Sequence, residues 1–161
     1  MFDRVFRTEN DTGLTILRLV LGIVFFSHGS QKMLGWFGGP GFSETMHEFT
    51  RMGIPSVLAF LAIAAEFFGG FGLILGLLTR IAALGIMINM AVAIAMVHAP
   101  NGFFMNWQGT KQGEGFEFHL LAIAAGFVLF LNGSGRLSID RLLSGRHARG
   151  RTPGREEELA A

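Results

Sequence analysis

Four long apolar segments constrain the fold of this chain more than any other feature. They comprise residues 14–34, 55–78, 81–98 and 116–132. A helix needs about 20 mostly apolar residues to cross the hydrocarbon core of a bilayer, and the four segments reach or approach this length. We therefore predict an all-α protein in which four transmembrane helices form a bundle.

The composition fits helices that pack closely in lipid. Half of the residues are hydrophobic and 16% are charged, whereas soluble domains carry about 25% charged residues. The 23 glycines favour close approach of helix backbones. The chain has no cysteine, which excludes disulfides, thiolate metal ligands, a Cys nucleophile and covalent c-type haem attachment. We expect no covalently attached cofactor, so redox chemistry requires a bound cofactor or a partner subunit.

The first apolar segment predicts an uncleaved transmembrane helix rather than a signal peptide. Arg18 interrupts the apolar run, and no small-x-small cleavage site follows it. Residues 1–13 then form a short N-terminal segment, and residues 14–143 form the membrane domain. The last residues, 144–161, contain almost no apolar side chains, so we expect a disordered tail. A short amphipathic stretch, 136–143, precedes it at the membrane surface.

The placement of Lys and Arg predicts the orientation. An even number of spans puts both termini on one side, and ten of the 13 Lys and Arg residues fall on that side. The other three are Lys32, Arg51 and Lys111. By the positive-inside rule, both termini are cytoplasmic and the loops 35–54 and 99–115 face outward.

Ionisable residues inside the spans are candidates for function, because a charge at the bilayer centre costs about 2.5–3.5 kcal/mol. Glu66 lies about 16 Å into the second segment, near the midplane, so it is either protonated or paired with a cation on another helix. On the first segment, Arg18, His28 and Lys32 fall within an arc of about 80°. We predict that Lys32 or His28 lies within reach of Glu66 or Glu117.

Each of these residues also has a structural interpretation. Arg18 and Lys32 can extend to an interface, and His28 can bond a neighbouring helix. Glu66 can belong to a buried pair that only holds helices together.

The third and fourth segments add further polar side chains to the outer half of the membrane. Asn89 lies near the midplane and His98 at the outer end of the third segment. Glu117 and His119 begin the fourth segment and point about 160° apart, so only one of them can face the bundle core fully. The sequence leaves open which one does.

The chemistry of these side chains favours a quinone over a metal. His28, His98, His119 and Glu117 are acceptable metal ligands, but no compact spacing such as H-x-x-x-H joins them, and we predict no metal site. Outer methionines hint at copper, and two histidines could hold a b-type haem, yet neither has supporting spacing. A quinone ring needs apolar walls and a His, Lys or acid to bond its oxygens and exchange protons.

Three stretches of the sequence resemble the DoxX family of small bacterial membrane proteins. They are LRLVLGIVFFSHGSQKMLGWFGG, AEFFGGFGLILGLLTRIAAL and GFEFHLLAIAAGFVLFLNGSGRLSID, which together cover residues from about 14 to 140 in the family's order. The resemblance implies a four-helix integral membrane fold in the bacterial inner membrane. It also implies kinship with the DoxD-like subunit of thiosulfate:quinone oxidoreductase, with quinone as acceptor. The matching positions are Arg18, Gly29, Lys32, Glu66, Gly70, Gly76, Arg80, Glu117, Gly133 and Asp140.

These observations lead us to expect a multi-pass membrane subunit of a quinone-linked oxidoreductase system. Its partners are the lipid bilayer and other redox subunits, and we expect no nucleic acid. Whether the chain is catalytic alone, and whether it forms a homo-oligomer, is left open. The expected catalytic residues are Glu66, Lys32 and His28, and the expected cofactor-binding residues are Glu117, His98, Asn89 and Arg18. The alternatives are a non-enzymatic carrier of protons or of a small lipophilic solute, and a structural assembly subunit.

Overall fold

The computed structural model describes residue 6 and residues 8–149, and this part of the chain is helical with no β-strand. Between residues 8 and 149, six α-helices follow one another: α1 (Thr12–Leu34), α2 (Gly41–Arg51), α3 (Ser56–Leu75), α4 (Thr79–Ala93), α5 (Glu117–Asn132) and α6 (Ile139–Arg149). Helix α4 continues through a π-helical turn, Ile94–His98, and a 3₁₀ turn, Ala99–Asn101. The prediction of an all-α protein is confirmed.

In the described part of the chain, three helices are long and apolar enough to cross a membrane. They are Thr12–Leu34, Ser56–Leu75 and Thr79–Asn101, and the apolar helix α5 is shorter, with 16 residues. Large apolar side chains cover their outward faces, as lipid contact requires; examples are Ile16, Val20, Val57, Phe68, Ile88 and Leu121. The chain is therefore a membrane protein whose apolar helices contact the lipid bilayer.

The helices pack in a fixed order around one core. Helix α1 packs on α3, α3 on α4, and α4 on α5. The contact between α1 and α5 is smaller, and it includes the stacked rings of Phe25 and Phe118, whose centroids lie 6.5 Å apart. The buried core residues are Leu21, Phe25, Leu73, Ala83, Ile86, Met90, Ala122 and Leu129.

Glycines set the close crossing of α1 and α3. A Cβ atom on Gly29 would overlap the backbone of Glu66 and Phe67, and one on Gly70 would overlap the backbone of Phe26. The two helix backbones therefore touch without intervening side chains, as small residues allow in lipid. This contact fixes how far each helix is rotated about its own axis.

Two connections differ from the sequence prediction. The segment 35–54, predicted as a loop, contains helix α2, whose one buried residue is Thr45. The tight connection between the second and third segments, predicted at residues 79–80, lies at 76–78, where Gly76 and Leu78 both have positive φ. Leu78 tolerates this conformation because the Asp140 carboxylate accepts its backbone N–H at 2.7 Å, along with that of Thr79 at 2.9 Å.

The ends of the chain are described in part. Helix α6 continues past residue 144, where we expected the disordered tail to begin, and ends at Arg149. The rest of that predicted tail, 150–161, lies outside the described residues, as do residues 1–5 and 7 of the predicted N-terminal segment.

Candidate functional site

A polar cluster joins three helices near the end of α1. The Lys32 ammonium on α1 forms an ion pair with Oε2 of Glu66 on α3. Asn89 on α4 donates from Nδ2 to Oε1 of the same carboxylate at 3.0 Å. The Glu66 side chain is 8% exposed and the Lys32 side chain 25% exposed. The predicted pairing of Lys32 with Glu66 is confirmed, and both carboxylate oxygens have donors.

The close crossing of α1 and α3 brings this cluster together. Gly29 contacts the backbone of Glu66 and Phe67, and Lys32 follows Gly29 by one turn on α1. The lysine stem is long enough to extend along the helix surface and bring its ammonium to Glu66. A charge pair in an apolar interior requires good geometry and additional hydrogen bonds to offset desolvation, and Asn89 supplies one of them.

Two imidazoles lie in contact at the same end of the molecule. The ring centroids of His98, at the end of the π-helical turn, and His119, in the first turn of α5, are 4.0 Å apart with a tilt of 41°. Nδ1 of His98 lies 2.8 Å from the carbonyl oxygen of Glu114. Because a carbonyl only accepts, this contact requires a proton on Nδ1 of His98, which in the neutral tautomer leaves Nε2 as an acceptor.

The π-helical turn explains how His98, which is partly exposed, comes to face α5. In an uninterrupted α-helix, His98 would lie on the side of α4 opposite Asn89, because nine residues advance it by about two and a half turns. A π turn contains one extra residue and rotates the residues after it by about 100°. His98 is therefore turned toward α5, where it contacts His119.

His119, and not Glu117, faces the core. His119 is 7% exposed and shares a face of α5 with Ala122 and Leu129, both buried. Glu117 points to the loop after α4, where its Oε1 accepts from the backbone N–H of Met105 at 3.0 Å and from Nε1 of Trp107 at 3.3 Å. These bonds hold the loop after α4 in place, and the expected role of Glu117 in cofactor binding stays a prediction.

His28 is exposed and does not join the cluster. The sequence prediction grouped it with Lys32 because the two residues are one turn apart. Relative to Gly29, which faces α3, His28 lies about 100° around α1 and Lys32 about 60°. From its position the long Lys32 side chain reaches α3, whereas the shorter imidazole of His28 does not.

Arg18 lies at the other end of α1, away from the ion pair. It is 1% exposed, and its guanidinium donates to the carbonyl oxygens of Leu73, Ile74 and Leu137. These bonds satisfy carbonyls at the C-terminus of α3, where a cation is also favoured by the helix dipole. Leu73 follows Glu66 by seven residues, about 10 Å along the helix, so Arg18 is not brought to the predicted site.

Sequence reasoning left His119 undecided and gave Asp140 no role. The alternation of Glu117 and His119 was visible, but the rotation of α5 that buries one of them depends on packing. Asp140 caps the start of α4 from 61 residues away in sequence, a contact without a local signal. The amphipathic pattern of α2, with Phe42, Thr45 and Phe49 on one side, could have been found in the sequence.

The arrangement can bind a polar group in apolar surroundings. Among the residues that the structure describes, no three His, Asp or Glu side chains converge so as to hold a metal ion. The polar groups that the helices carry here are instead an ion pair, an amide and two imidazoles. Together they can donate to, accept from and exchange protons with a ligand held between helices.

Comparison with known proteins identifies relatives over most of the chain. A family model described as DoxX matches residues 13–99. The chain is 32% identical to the "Putative oxidoreductase CatD" of Bacillus subtilis, covering 81% of this chain and 86% of that protein. It is 33% identical to the "Uncharacterized membrane protein Rv3486" of Mycobacterium tuberculosis, covering 89% and 88%.

A further relative carries a location in its name. The chain is 30% identical to the "Inner membrane protein YqjF" of Escherichia coli, covering 83% of this chain and 94% of that protein. No solved structure gives a significant match. The match to the family model extends over more than half of the 161 residues, and the relatives match over most of their length. The chain therefore belongs to the DoxX family of membrane proteins.

Proposed function

We propose that this protein is the membrane subunit of a quinone-linked oxidoreductase system in the bacterial inner membrane. In this proposal α1, α3, α4 and α5 form a four-helix transmembrane bundle within residues 14–143. Both termini are cytoplasmic, and the Lys32–Glu66 cluster lies in the outer half of the membrane. Other redox subunits supply the electrons, since the chain has no cysteine for thiol or iron–sulfur chemistry.

The observation that carries the proposal is the Lys32–Glu66–Asn89 cluster. A buried ion pair contributes little net stability, because desolvation offsets the attraction between the charges. Ionisable residues inside a membrane more often mark pathways for substrates, ions or protons. Both oxygens of the Glu66 carboxylate are bonded, and the group lies in apolar surroundings. Lys32 is more exposed than Glu66 and connects it to the outer surface.

Other side chains of α1 and α5 suit a quinone head group. The rings of Phe25 and Phe118 supply apolar walls, and His119 supplies a nitrogen without a partner among the described residues. The small contact between α1 and α5 offers a route from the lipid for a lipophilic molecule. When bound, a quinone accepts two electrons and two protons. The chain's own residues would orient the ring, exclude water, and hold protons at Glu66 and the imidazoles.

The relatives support the redox part of this proposal through one name. The Bacillus subtilis protein is called a putative oxidoreductase, and the name of the Escherichia coli protein places that protein in the inner membrane. Family membership bears on the fold, while the reaction depends on the side chains described above.

The test is to purify the full chain in mild detergent, identify co-purified quinone by mass, and titrate quinone into stripped protein. We expect saturable binding to the wild type and at least about ten-fold weaker binding to Glu66→Gln, because the substitution removes the carboxylate charge. Arg136→Met is the matched control and should bind quinone normally. It changes an exposed arginine at the opposite end of the helices from Lys32. Absence of quinone binding, or equal binding by Glu66→Gln, would contradict the proposal.

A carrier of protons or of a small lipophilic solute is the second candidate, and an assembly subunit the third. A carrier needs access from both sides in turn. Lys32 is partly exposed, so the cluster is accessible from one end of the helices. At the other end, Arg18 bonds to three backbone carbonyls and closes the bundle, which favours a one-sided site. Flux across liposomes that depends on Glu66 would favour the carrier. Intact cellular function after neutral replacement of both Lys32 and Glu66 would favour the assembly subunit.

A further inference from the structure

His119 is a buried polar side chain with an unsatisfied atom. It is 7% exposed, and its Nδ1 has no hydrogen-bond partner among the described residues. Buried polar atoms in proteins nearly always have a partner, and each exception calls for a water, an ion or a ligand to explain it. His119 takes no part in the bonds among Glu66, Lys32 and Asn89. Its unsatisfied atom therefore needs a separate explanation.

The position of His119 directs this atom into the space between helices. The residue lies on the same face of α5 as Ala122, Gly126 and Leu129, which are all buried. Gly126 faces the side chain of Met87 on α4. His119 therefore points between α4 and α5, and its neighbour Phe118 contacts Phe25 of α1.

The contact with His98 indicates which kind of ligand fits. Two imidazoles that bind one metal ion direct a nitrogen atom at it, each at about 2.0–2.1 Å. Here the two rings lie against each other, with centroids 4.0 Å apart, and no third His, Asp or Glu among the described residues completes a metal site with them. The bond from His98 Nδ1 to the Glu114 carbonyl holds the His98 ring in that orientation. The geometry favours a neutral ring compound over a metal ion.

We propose that Nδ1 of His119 hydrogen-bonds a ring oxygen of a bound quinone or quinol, with His98, Phe118 and Phe25 as the walls of the site. The ligand class rests on the proposed function above; the assignment of His119 rests on its burial and its unsatisfied atom. A neutral imidazole nitrogen donates in one tautomer and accepts in the other. His119 can therefore bond either a quinone carbonyl or a quinol hydroxyl.

This role predicts an unusual response to substitution. His119→Leu removes a buried polar atom that lacks a partner and keeps a similar volume, so the ligand-free protein should unfold at the same temperature or a higher one. The same variant should bind quinone about ten-fold more weakly, because the ring oxygen loses its partner. A histidine with a purely structural role would show the opposite on the first measurement, namely a lower melting temperature.

The experiment uses the purified full chain, stripped of bound lipids, with a short-tailed benzoquinone and a short-tailed naphthoquinone titrated separately. His47→Leu is the matched control, because His47 is an exposed histidine of helix α2, and it should bind as the wild type does. His119→Asn keeps a polar atom close to the position of Nδ1 and should retain affinity within about three-fold. Melting temperatures of all variants are measured without quinone.

Three results would overturn the assignment in distinguishable ways. If the wild type binds quinone and His119→Leu binds equally well, the inference fails and the proposed function stands. If His119→Leu melts lower without quinone and His119→Asn does not restore binding, His119 is structural. If the wild type binds neither quinone, the proposed function fails, and the quinone assignment of His119 fails with it.

Discussion

Each end of helix α1 carries a cation that bonds to other segments, but the partners of the two cations differ. At one end Arg18 donates to three backbone carbonyl oxygens at the ends of other segments. At the other end Lys32 pairs with a carboxylate that also accepts from Asn89. We call these the Arg18 end and the Lys32 end. Burial is more complete at the Arg18 end, so burial alone does not identify a functional charge.

The difference lies in what the partners need. Backbone carbonyls at a helix C-terminus require a donor in any folded state, and Arg18 meets a structural requirement. A side-chain carboxylate in an apolar interior also needs donors, but folding does not require the carboxylate itself, because an apolar residue could replace the pair at little cost in stability. A charged pair between side chains in a largely apolar interior is the arrangement that points to function.

The largest loss of stability is expected from Arg18→Met. The substitution leaves buried carbonyl oxygens without a donor and should lower the free energy of unfolding by about 3 kcal/mol. Arg136→Met, at an exposed arginine of the same end, should change it by less than about 0.5 kcal/mol. Denaturant unfolding in detergent measures both. Equal effects of the two substitutions would show that Arg18 has no structural role.

Gly29→Ala should have the next largest effect. The added Cβ would overlap the backbone of α3, so the crossing must open and carry Lys32 away from Glu66. We expect a loss of about 1–3 kcal/mol together with weaker quinone binding. Gly85→Ala is the control, because its Cβ would meet Ala65 at an ordinary 3.7 Å, and it should be neutral or stabilising by up to about 1 kcal/mol. Tolerance of Gly29→Ala would argue against the close crossing.

Glu66→Gln should cost less stability than either change, about 1 kcal/mol, because Lys32 can turn its ammonium toward the outer interface. Replacing both partners, as in Lys32→Met with Glu66→Leu, should bring the free energy of unfolding back to within about 1 kcal/mol of the wild type. Quinone binding should stay lost in the double variant. If the double variant is instead the least stable of the three proteins, the pair is chiefly structural and the contrast between the two ends disappears.

The smallest effect is expected from His28→Leu. The His28 side chain is exposed on the surface of α1, so the free energy of unfolding should change by less than about 0.5 kcal/mol. A clear loss of stability or of binding would mean that His28 contacts a second protein chain, and cross-linking at residue 28 would then identify that contact.

The sequence predicted the helices well because apolar length is a strong signal. The four segments agree with α1, α3, the extended α4 and α5 to within about three residues at most ends. The pairing of Lys32 with Glu66 was also predictable, since a carboxylate near mid-membrane needs either a proton or a partner.

The features that the sequence did not predict depend on helix rotation. The choices between Lys32 and His28, and between His119 and Glu117, are decided by which face of each helix meets its neighbour. On α1, backbone contact at Gly29 determines which face meets α3. On α4, the π-helical turn ending at His98 determines which residues face α5. Neither feature can be read from hydrophobic periodicity, because both arise from packing between helices far apart in sequence.

The most direct measurement is the mass of any molecule that stays bound when the full chain is released from detergent micelles in the gas phase. We expect a quinone mass on the wild type and none on the folded double variant Lys32→Met/Glu66→Leu. We expect the same quinone on Arg136→Met, whose exposed side chain lies at the Arg18 end. A wild type without bound quinone, or equal occupancy in the double variant, would contradict a functional Lys32 end.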